Sequence, residues 1–286
     1  MSQDTHHLSI GIVGNGFVGQ ATQGFSCSKT RLVIFDIDPL KCDPVGTTWR
    51  DVAACDLVMV SVPTPMRPDG SCSTRIVDSV IQELRAHGNP AIILRSTVPV
   101  GFSASRKVFF MPEFLTEAAW ADDFRTNPLW ILGIDQEDPV FQDQMKQVIQ
   151  WAKAEGKLVS DALQFVSTKE AEAIKYFRNC FLATKVAFCN EFYDFCASHK
   201  IDYSSMVDLA ASDSRIGQGH TRVPGPDGRR GFGGTCFPKD ISSLIHQFKL
   251  QEVPSPLLDA AQQRNNEKDR PSHDWKDLVG RAIDMD

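Results

Sequence analysis

Six strand-length apolar runs, LSIGIV (8–13), LVIF (32–35), LVMVSV (57–62), AIILR (91–95), KVFFM (107–111) and LWILG (129–133), alternate with helix-like or loop segments up to about residue 165. That alternation is the pattern of a parallel sheet covered by helices. It predicts an α/β chain whose residues 1–165 form a Rossmann-like, doubly wound parallel sheet. A mainly helical domain over residues 166–286 follows.

The helical expectation rests on a stretch from Lys157 to Ile216 that holds neither glycine nor proline. Ser167-Thr168-Lys169-Glu170 offers a capping box just before a helix-periodic run. A helix from there to about Ser198 would extend about 45 Å, long enough to act as a spine joining domains or subunits. Its apolar positions Ala171, Ile174, Phe177, Phe181, Phe188, Phe192 and Phe195 cover more than one narrow stripe, which predicts burial on several sides. Between His220 and Lys239 the chain reads HTRVPGPDGRRGFGGTCFPK, a loop by its glycines and prolines.

With 286 residues, 42% of them hydrophobic, the chain can bury a sizeable core. A net charge of −6 argues against a nucleic-acid surface, so any phosphate site must be local. The start MSQDTHHLSIGIV lacks a basic segment followed by an apolar one, and the apolar runs are too short to span a bilayer. The expectation is a cytoplasmic protein with no membrane segment. Eight cysteines, at 27, 42, 55, 72, 180, 189, 196 and 236, show no CxxC pair and no metal-ligand spacing. Neither a disulfide framework nor a metal site is indicated, and most of these thiols are expected as buried small apolar residues.

After the first strand comes Gly14-Asn15-Gly16-Phe17-Val18-Gly19, the G-x-G-x-x-G arrangement that lets a backbone turn tightly, approach a pyrophosphate and pack helix on strand. A plain strand-to-helix turn would show the same glycines. The second strand ends at Phe35-Asp36, where a carboxylate can accept hydrogen bonds from adenosine ribose hydroxyls, and Asp38 nearby would repel a 2′-phosphate. The cofactor is read as NAD. Pro63-Thr64 and Ser96-Thr97 end later strands at the sheet edge where dinucleotides lie, although such residues also simply terminate strands.

Three features point to chemistry. Lys175 and Asn179, at i and i+4 on the long helix, could jointly donate hydrogen bonds to an oxygen that gains negative charge; the alternative is a solvated pair. Glu113 and Glu117 would share a face if MPEFLTE is helical, fit for holding or activating water, though glutamates are also common in first helical turns. In GFGGTCFPKD, glycines permit close approach to a ligand while Cys236 stands at a predicted helix start with Pro238 just inside it. A nucleophilic cysteine follows.

GFGGTCFPKD, with STVPVG, MPEFLTE, EAIKYFRNCFLATKVAFCNE and SDSRIG in the same order upstream, resembles the UDP-glucose/GDP-mannose dehydrogenase family through most of residues 8–245. The resemblance implies NAD-dependent oxidation of the C6 alcohol of a nucleotide sugar, UDP-glucose, to a uronate used in polysaccharide synthesis. Cys236 would attack the aldehyde left by a first hydride transfer, forming a thiohemiacetal and then a thioester that water hydrolyses. Lys175 and Asn179 would stabilise the oxyanion. Thr97, Glu117 and Asp240 would position or deprotonate water or alcohol, and Glu113 would assist hydrolysis. The sugar nucleotide would touch Phe114, Leu115 and the 231–234 loop, including Gly233, with Lys41 and Lys239 near the NAD. Arg215 matches an arginine that the family supplies across a dimer interface, which implies a homodimer through the long helix.

Family members also carry a third, C-terminal Rossmann-like domain that completes the nucleotide pocket, and the expectation here is a short form without it. Arg222, Arg229 and Arg230 are expected to compensate by holding the diphosphate. The connection from Asp36 to Leu57 is also shorter than usual. A two-electron β-hydroxyacid dehydrogenase and a catalytically silent NAD-binding module are the competing readings.

Overall fold

The computed structural model describes residues 8–284. The chain divides into two compact units, one made of the residues up to Thr64 together with Thr74–Lys175, the other of Pro65–Ser73 together with the residues from Tyr176 onward.

The first unit holds β1 (Leu8–Val13), α1 (Phe17–Thr22), β2 (Thr30–Phe35), α2 (Trp49–Ala53), β3 (Leu57–Val60), α3 (Arg75–His87), β4 (Ala91–Leu94), α4 (Phe102–Arg106), β5 (Phe109–Phe110), α5 (Trp120–Arg125), β6 (Trp130–Gly133), α6 (Pro139–Ala154) and β7 (Leu163–Val166). The sheet order is β2-β1-β3-β4-β5-β6-β7. Each apolar run supplies a strand, and alternate residues face opposite cores: Ile12, Met59 and Ile93 pack with Phe25, Trp130 and Met145, whereas Val13, Val58, Val60 and Leu94 pack with Val77, Ile81 and Leu84. Side chains of a strand point alternately to the two faces, so runs apolar throughout require cover on both.

Two details depart from the expected parallel sheet. β5 and β6 pair antiparallel, through Phe110 and Gly133. A parallel return needs an element that spans the sheet, and the six-residue α5 between them reaches only about 9 Å. β7, LQFV, pairs parallel with β6 and was not foreseen. Because β1 lies between β2 and β3, the chain reverses its direction of travel there, and a crevice opens beyond the C-terminal ends of β1 and β3.

Helix α7 runs from Thr168 to Ser198. Its start is the expected capping box: Ser167 Oγ accepts from the Glu170 N–H (3.2 Å), and the Glu170 carboxylate accepts from the Ser167 N–H (2.8 Å). Within its first turns Glu172, fully buried, accepts hydrogen bonds from the Gly101 and Ser103 N–H groups at the start of α4. Its inner stripe in the second unit is small or polar, with Tyr176, Asn179, Cys180, Ala183, Ala187 and Asn190 buried. The expected burial on several sides is corrected: Phe177, Phe181, Phe188, Phe192 and Phe195 are all exposed, between 38% and 71%.

The second unit adds α8 (Tyr203–Ala210), α9 (Phe237–Leu250) and α10 (Pro256–Arg264), the last running into a π-helical turn over Asn265–Asp269. Its core gathers Tyr176, Cys180, Ala183, Phe232, Ile241 and Ile245. The 65–73 segment folds back on itself, Met66 bridging Cys72, and Met66 also bridges Ile283.

Candidate active site

In the first unit the three glycines after β1 do three different jobs. Gly14 has φ +89°, and a Cβ there would stand 2.5 Å from the Ser61 carbonyl oxygen. A Cβ on Gly19 would collide with the Gly14 carbonyl oxygen, so this glycine lets helix α1 close on the strand. At Gly16 a Cβ would meet nothing within 4 Å. A tight turn, an open backbone and a close helix–strand approach are what a pyrophosphate needs of this loop. α1 itself is only six residues long, so its backbone N–H groups matter more than its dipole.

Asp36 lies just beyond β2, its carboxylate accepting from the Asn15 N–H (2.6 Å) and the Asp38 N–H (2.9 Å). A carboxylate has lone pairs beyond those two, and a ribose hydroxyl can use them. Lys41 is exposed, with Nζ 3.8 Å from Asp38 and its carbonyl accepting from Asn15 Nδ2. Ser96 Oγ accepts from the Val62 N–H (2.9 Å) and donates to the Val62 carbonyl (2.7 Å), tying the ends of β3 and β4 together. Thr64, Ser96 and Thr97 are buried there, and Pro63 is exposed. Phe17 and Val18 are half-buried on α1.

Gly16→Ala therefore isolates the ligand from the fold. Its stability is expected to change by no more than about 1 kcal/mol, the helix N-cap penalty of alanine, while NAD affinity falls on the order of tenfold because a methyl occupies the approach. Thermal melts beside NAD titration check this, and unchanged affinity would remove Gly16 from the site.

Lys175 and Glu113 form a buried ion pair in this unit, 2% and 6% exposed, too enclosed for the solvated alternative. Lys175 Nζ donates to Glu113 Oε1 and to the Glu113 carbonyl, both at 2.6 Å, and Glu113 Oε2 accepts from the Leu115 N–H (2.9 Å). Burial alone would raise the carboxyl pKa, but the Lys175 charge and hydrogen bond, the Leu115 N–H and Arg95 together hold it below the usual glutamate range. Arg95, fully enclosed, donates to Met111 Sδ (3.2 Å) and lies over the Phe124 ring. Burial pushes it down to about 10. The Phe114 ring lies 5.7 Å from Lys175 Nζ.

The condition set for MPEFLTE, a helix, is not met. Residues 112–116 form no helix, and the next helix begins at Trp120. Glu113 spends its side chain on Lys175 and Leu115, while Thr116 is bonded through N–H and Oγ1 to Asp123 (2.7 and 2.6 Å), so local side-chain bonds replace a helical ladder. Glu113 and Glu117 therefore share no helical face, and Glu117 is exposed.

In the second unit Cys236 is the N-cap residue of α9, half-buried, with Pro238 in the first turn as expected. Asp240, 1% exposed, takes a hydrogen bond from Asn179 Nδ2 (2.6 Å) at one oxygen and from Lys239 Nζ (2.5 Å) at the other. Burial opposes the Lys239 charge, but Asp240 and then Cys236 and Cys72 outweigh it and hold the ammonium well above its usual range. Both thiols lie within electrostatic reach of this ammonium, whose charge is already matched by Asp240. Burial pushes the Cys55 thiol up to about 11 and raises Cys180 further. None of the eight cysteines is in a disulfide, and six are buried.

The basic loop does not present a bare cationic cluster. Arg222 pairs with Asp208 (2.6 Å), Arg229 with Asp274 (2.9 Å), and Arg230 with both Asp194 (2.9 Å) and Asp269 (2.8 Å). Their expected role on a diphosphate is thereby weakened, since each is already neutralised by a carboxylate. Arg215 is 88% exposed and paired with Asp213. Among the described residues no group of three or more His, Cys, Asp or Glu is arranged to hold a metal, and no helix is long and apolar enough to cross a membrane.

Residues 45–152 match the NAD binding domain of the UDP-glucose/GDP-mannose dehydrogenase family, and residues 169–267 match its central domain. The chain belongs to the UDP-glucose/GDP-mannose dehydrogenase family. NAD is the cofactor of its first domain. The chain is 31% identical over 235 residues to UDP-glucose 6-dehydrogenase of Rhizobium meliloti, covering 77% of this chain and 52% of that protein. It is 33% identical over 248 residues to the Pseudomonas aeruginosa UDP-glucose 6-dehydrogenase, covering 80% and 52%. It thus spans about half the length of the curated relatives it matches. Its fold is similar to that of a UDP-glucose dehydrogenase from Pyrobaculum islandicum, with a TM-score of 0.77 at 24% identity over 93% of this chain and 69% of that one. A 3-hydroxyisobutyrate dehydrogenase from Mycobacterium tuberculosis has a TM-score of 0.68 at 17% identity over 91% and 93%, a likeness of fold.

Residues that the sequence did not announce are Arg95, Asn190, Asn265 and Arg270. All four are buried polar groups, and only the adjacent pair Asn265-Asn266, poor helix formers at a helix end, hinted at a special turn.

Proposed function

We propose that this member of the family catalyses the NAD-dependent four-electron oxidation of the C6 alcohol of a nucleotide sugar, UDP-glucose, to the uronate. The observation that carries the reading is Cys236, a half-buried thiol at the N-cap of a 14-residue helix whose first turn also holds Lys239 and the buried Asp240. Two NAD molecules, bound in succession, each accept one of the two hydrides that leave the sugar carbon. After the first oxidation the Cys236 thiolate adds to the aldehyde carbon, forming a C–S bond and an oxyanion that Lys175 and Asn179 stabilise. After the second, water adds to the thioester carbonyl, the C–S bond breaks, and the thiolate leaves with the acid formed.

Asp240, Thr97 and Glu117 position or deprotonate the alcohol and the water. The depressed pKa of Glu113 suits it to hold the Lys175 ammonium rather than to accept a proton, so its assistance to hydrolysis is indirect. Phe114, Leu115 and Gly233 contact the sugar nucleotide, and Lys41 and Lys239 lie toward NAD. The experiment is stoichiometric: UDP-glucose is expected to yield two NADH per molecule, with GDP-mannose and N-acetyl sugars as comparators. One NADH per molecule would favour a simple alcohol dehydrogenase, and NAD binding without turnover a silent module.

The exposed phenylalanines of α7 support a homodimer in which a second copy of this chain covers them and receives Arg215. Sedimentation is expected to give twice 31.8 kDa, and a monomer at micromolar concentration would refute it. The proposed compartment is the cytoplasm and the proposed fate of the product a polysaccharide; cell fractionation checks the first.

A further inference from the structure

We infer that Asn265 is a positioning residue for the loop that delivers Cys236, and that Gly233, and Gly231 in addition to its left-handed φ of +67°, stand where the protein's own clamp fills the space beside them. The inference rests on the reading of Cys236 as the nucleophile. Asn265 is 0% exposed and opens the π-helical turn after α10. Its Oδ1 accepts from the Phe232 N–H (2.7 Å) and its Nδ2 donates to the Phe232 carbonyl (3.0 Å). One side chain thus answers both backbone polar groups of a single loop residue, as a neighbouring strand would.

The clamp has further jaws. Asn190, on α7, accepts through Oδ1 from the Gly231 N–H (3.3 Å) and from Arg230 Nε (3.1 Å). A Cβ on Gly231 would collide with Asn265 Oδ1, and one on Gly233 would stand 2.6 Å from Arg270 Cζ. That guanidinium cannot swing aside freely, because its Nε and Nη2 are each bonded to Asp274 at 2.7 Å. Gly234 differs: at φ +71° a Cβ there would meet nothing within 4 Å, so it is the glycine with open space beside it.

The path from clamp to thiol is short. Phe232 is 4% exposed and its ring meets Phe237, the residue after Cys236, at 6.3 Å in an edge-on arrangement. Fixing Phe232 therefore fixes the first turn of α9, whose backbone N–H groups stabilise a thiolate at the N-cap.

The test uses the full chain and reads alkylation of Cys236 by iodoacetamide against pH, by mass spectrometry, together with kcat on UDP-glucose and affinity for NAD. Asn265→Ala leaves two buried backbone groups without partners. It is expected to move the alkylation midpoint upward toward that of an ordinary thiol and to lower kcat about tenfold, with NAD affinity unchanged. Asn265→Asp keeps the volume and the acceptor for the Phe232 N–H but loses the donor, and is expected to give the same shifts at about half the size on a logarithmic scale. A wild-type alkylation profile in either folded variant, or NAD affinity falling in parallel in both, overturns the inference. Should wild-type protein leave UDP-glucose unoxidised, the functional reading fails separately while alkylation still decides the clamp.

Discussion

Cys236→Ala is expected to abolish acid formation, lowering turnover to the uronate by at least about 10³-fold, because the sulfur on which the acyl intermediate forms is removed. NAD affinity should be unchanged, since the dinucleotide glycines belong to the first unit. Cys236→Ser separates chemistry from stability. A hydroxyl at an N-cap is a better helix partner than a thiol, so the serine variant should be as stable as the parent or more so, by up to about 1 kcal/mol. It should nevertheless be as inactive as the alanine variant, because an alcohol at neutral pH is a far weaker nucleophile than a thiolate. Urea unfolding and product analysis check the two halves, and substantial uronate formation by either variant would refute the covalent route.

Lys175→Met is expected to destabilise the protein by about 3–5 kcal/mol, because it strands the buried Glu113 carboxylate without its ion partner. The sign of its pH dependence follows from the parent. Glu113 has a folded-state pKa below its ordinary value, so it contributes stability that is present above the unfolded pKa and lost as pH falls through the folded one. Without Lys175 the burial that raises the pKa loses its largest opponent. The deficit of the variant relative to the parent should therefore shrink as pH falls from 7 toward 5, when protonating Glu113 relieves the stranded charge. Equal deficits at both pH values in urea titrations would show that the pair is not what holds this part of the first unit together.

Much of the first unit was legible because its strands are contiguous apolar runs and its glycines stand at fixed offsets. β7 escaped because LQFV is short and only partly buried, and the antiparallel turn of β6 escaped because direction depends on what the connection can span. The reactive thiol was readable from glycines, proline and helix start, all local. Its neighbours were not. Lys175 looks like any helical lysine until Glu113, 62 residues away, is placed against it. The glycine loop suggested ligand approach at every glycine, whereas Gly231 and Gly233 accommodate Asn265 and Arg270, which lie far along the chain. The phenylalanines of α7 implied an interior by hydrophobicity alone, yet the inner face was taken by alanine, cysteine and asparagine.

The split second unit also sets an order of events during synthesis. Met66 emerges early, but its N–H is answered by the Ala282 carbonyl (2.9 Å) and its carbonyl by the Asp284 N–H (2.7 Å). At roughly 5–20 residues per second, the ribosome needs on the order of 10–40 s to deliver those partners. Throughout that interval the Met66 N–H and carbonyl wait without these partners, so a piece begun at Met66 is completed only when Ala282 and Asp284 arrive.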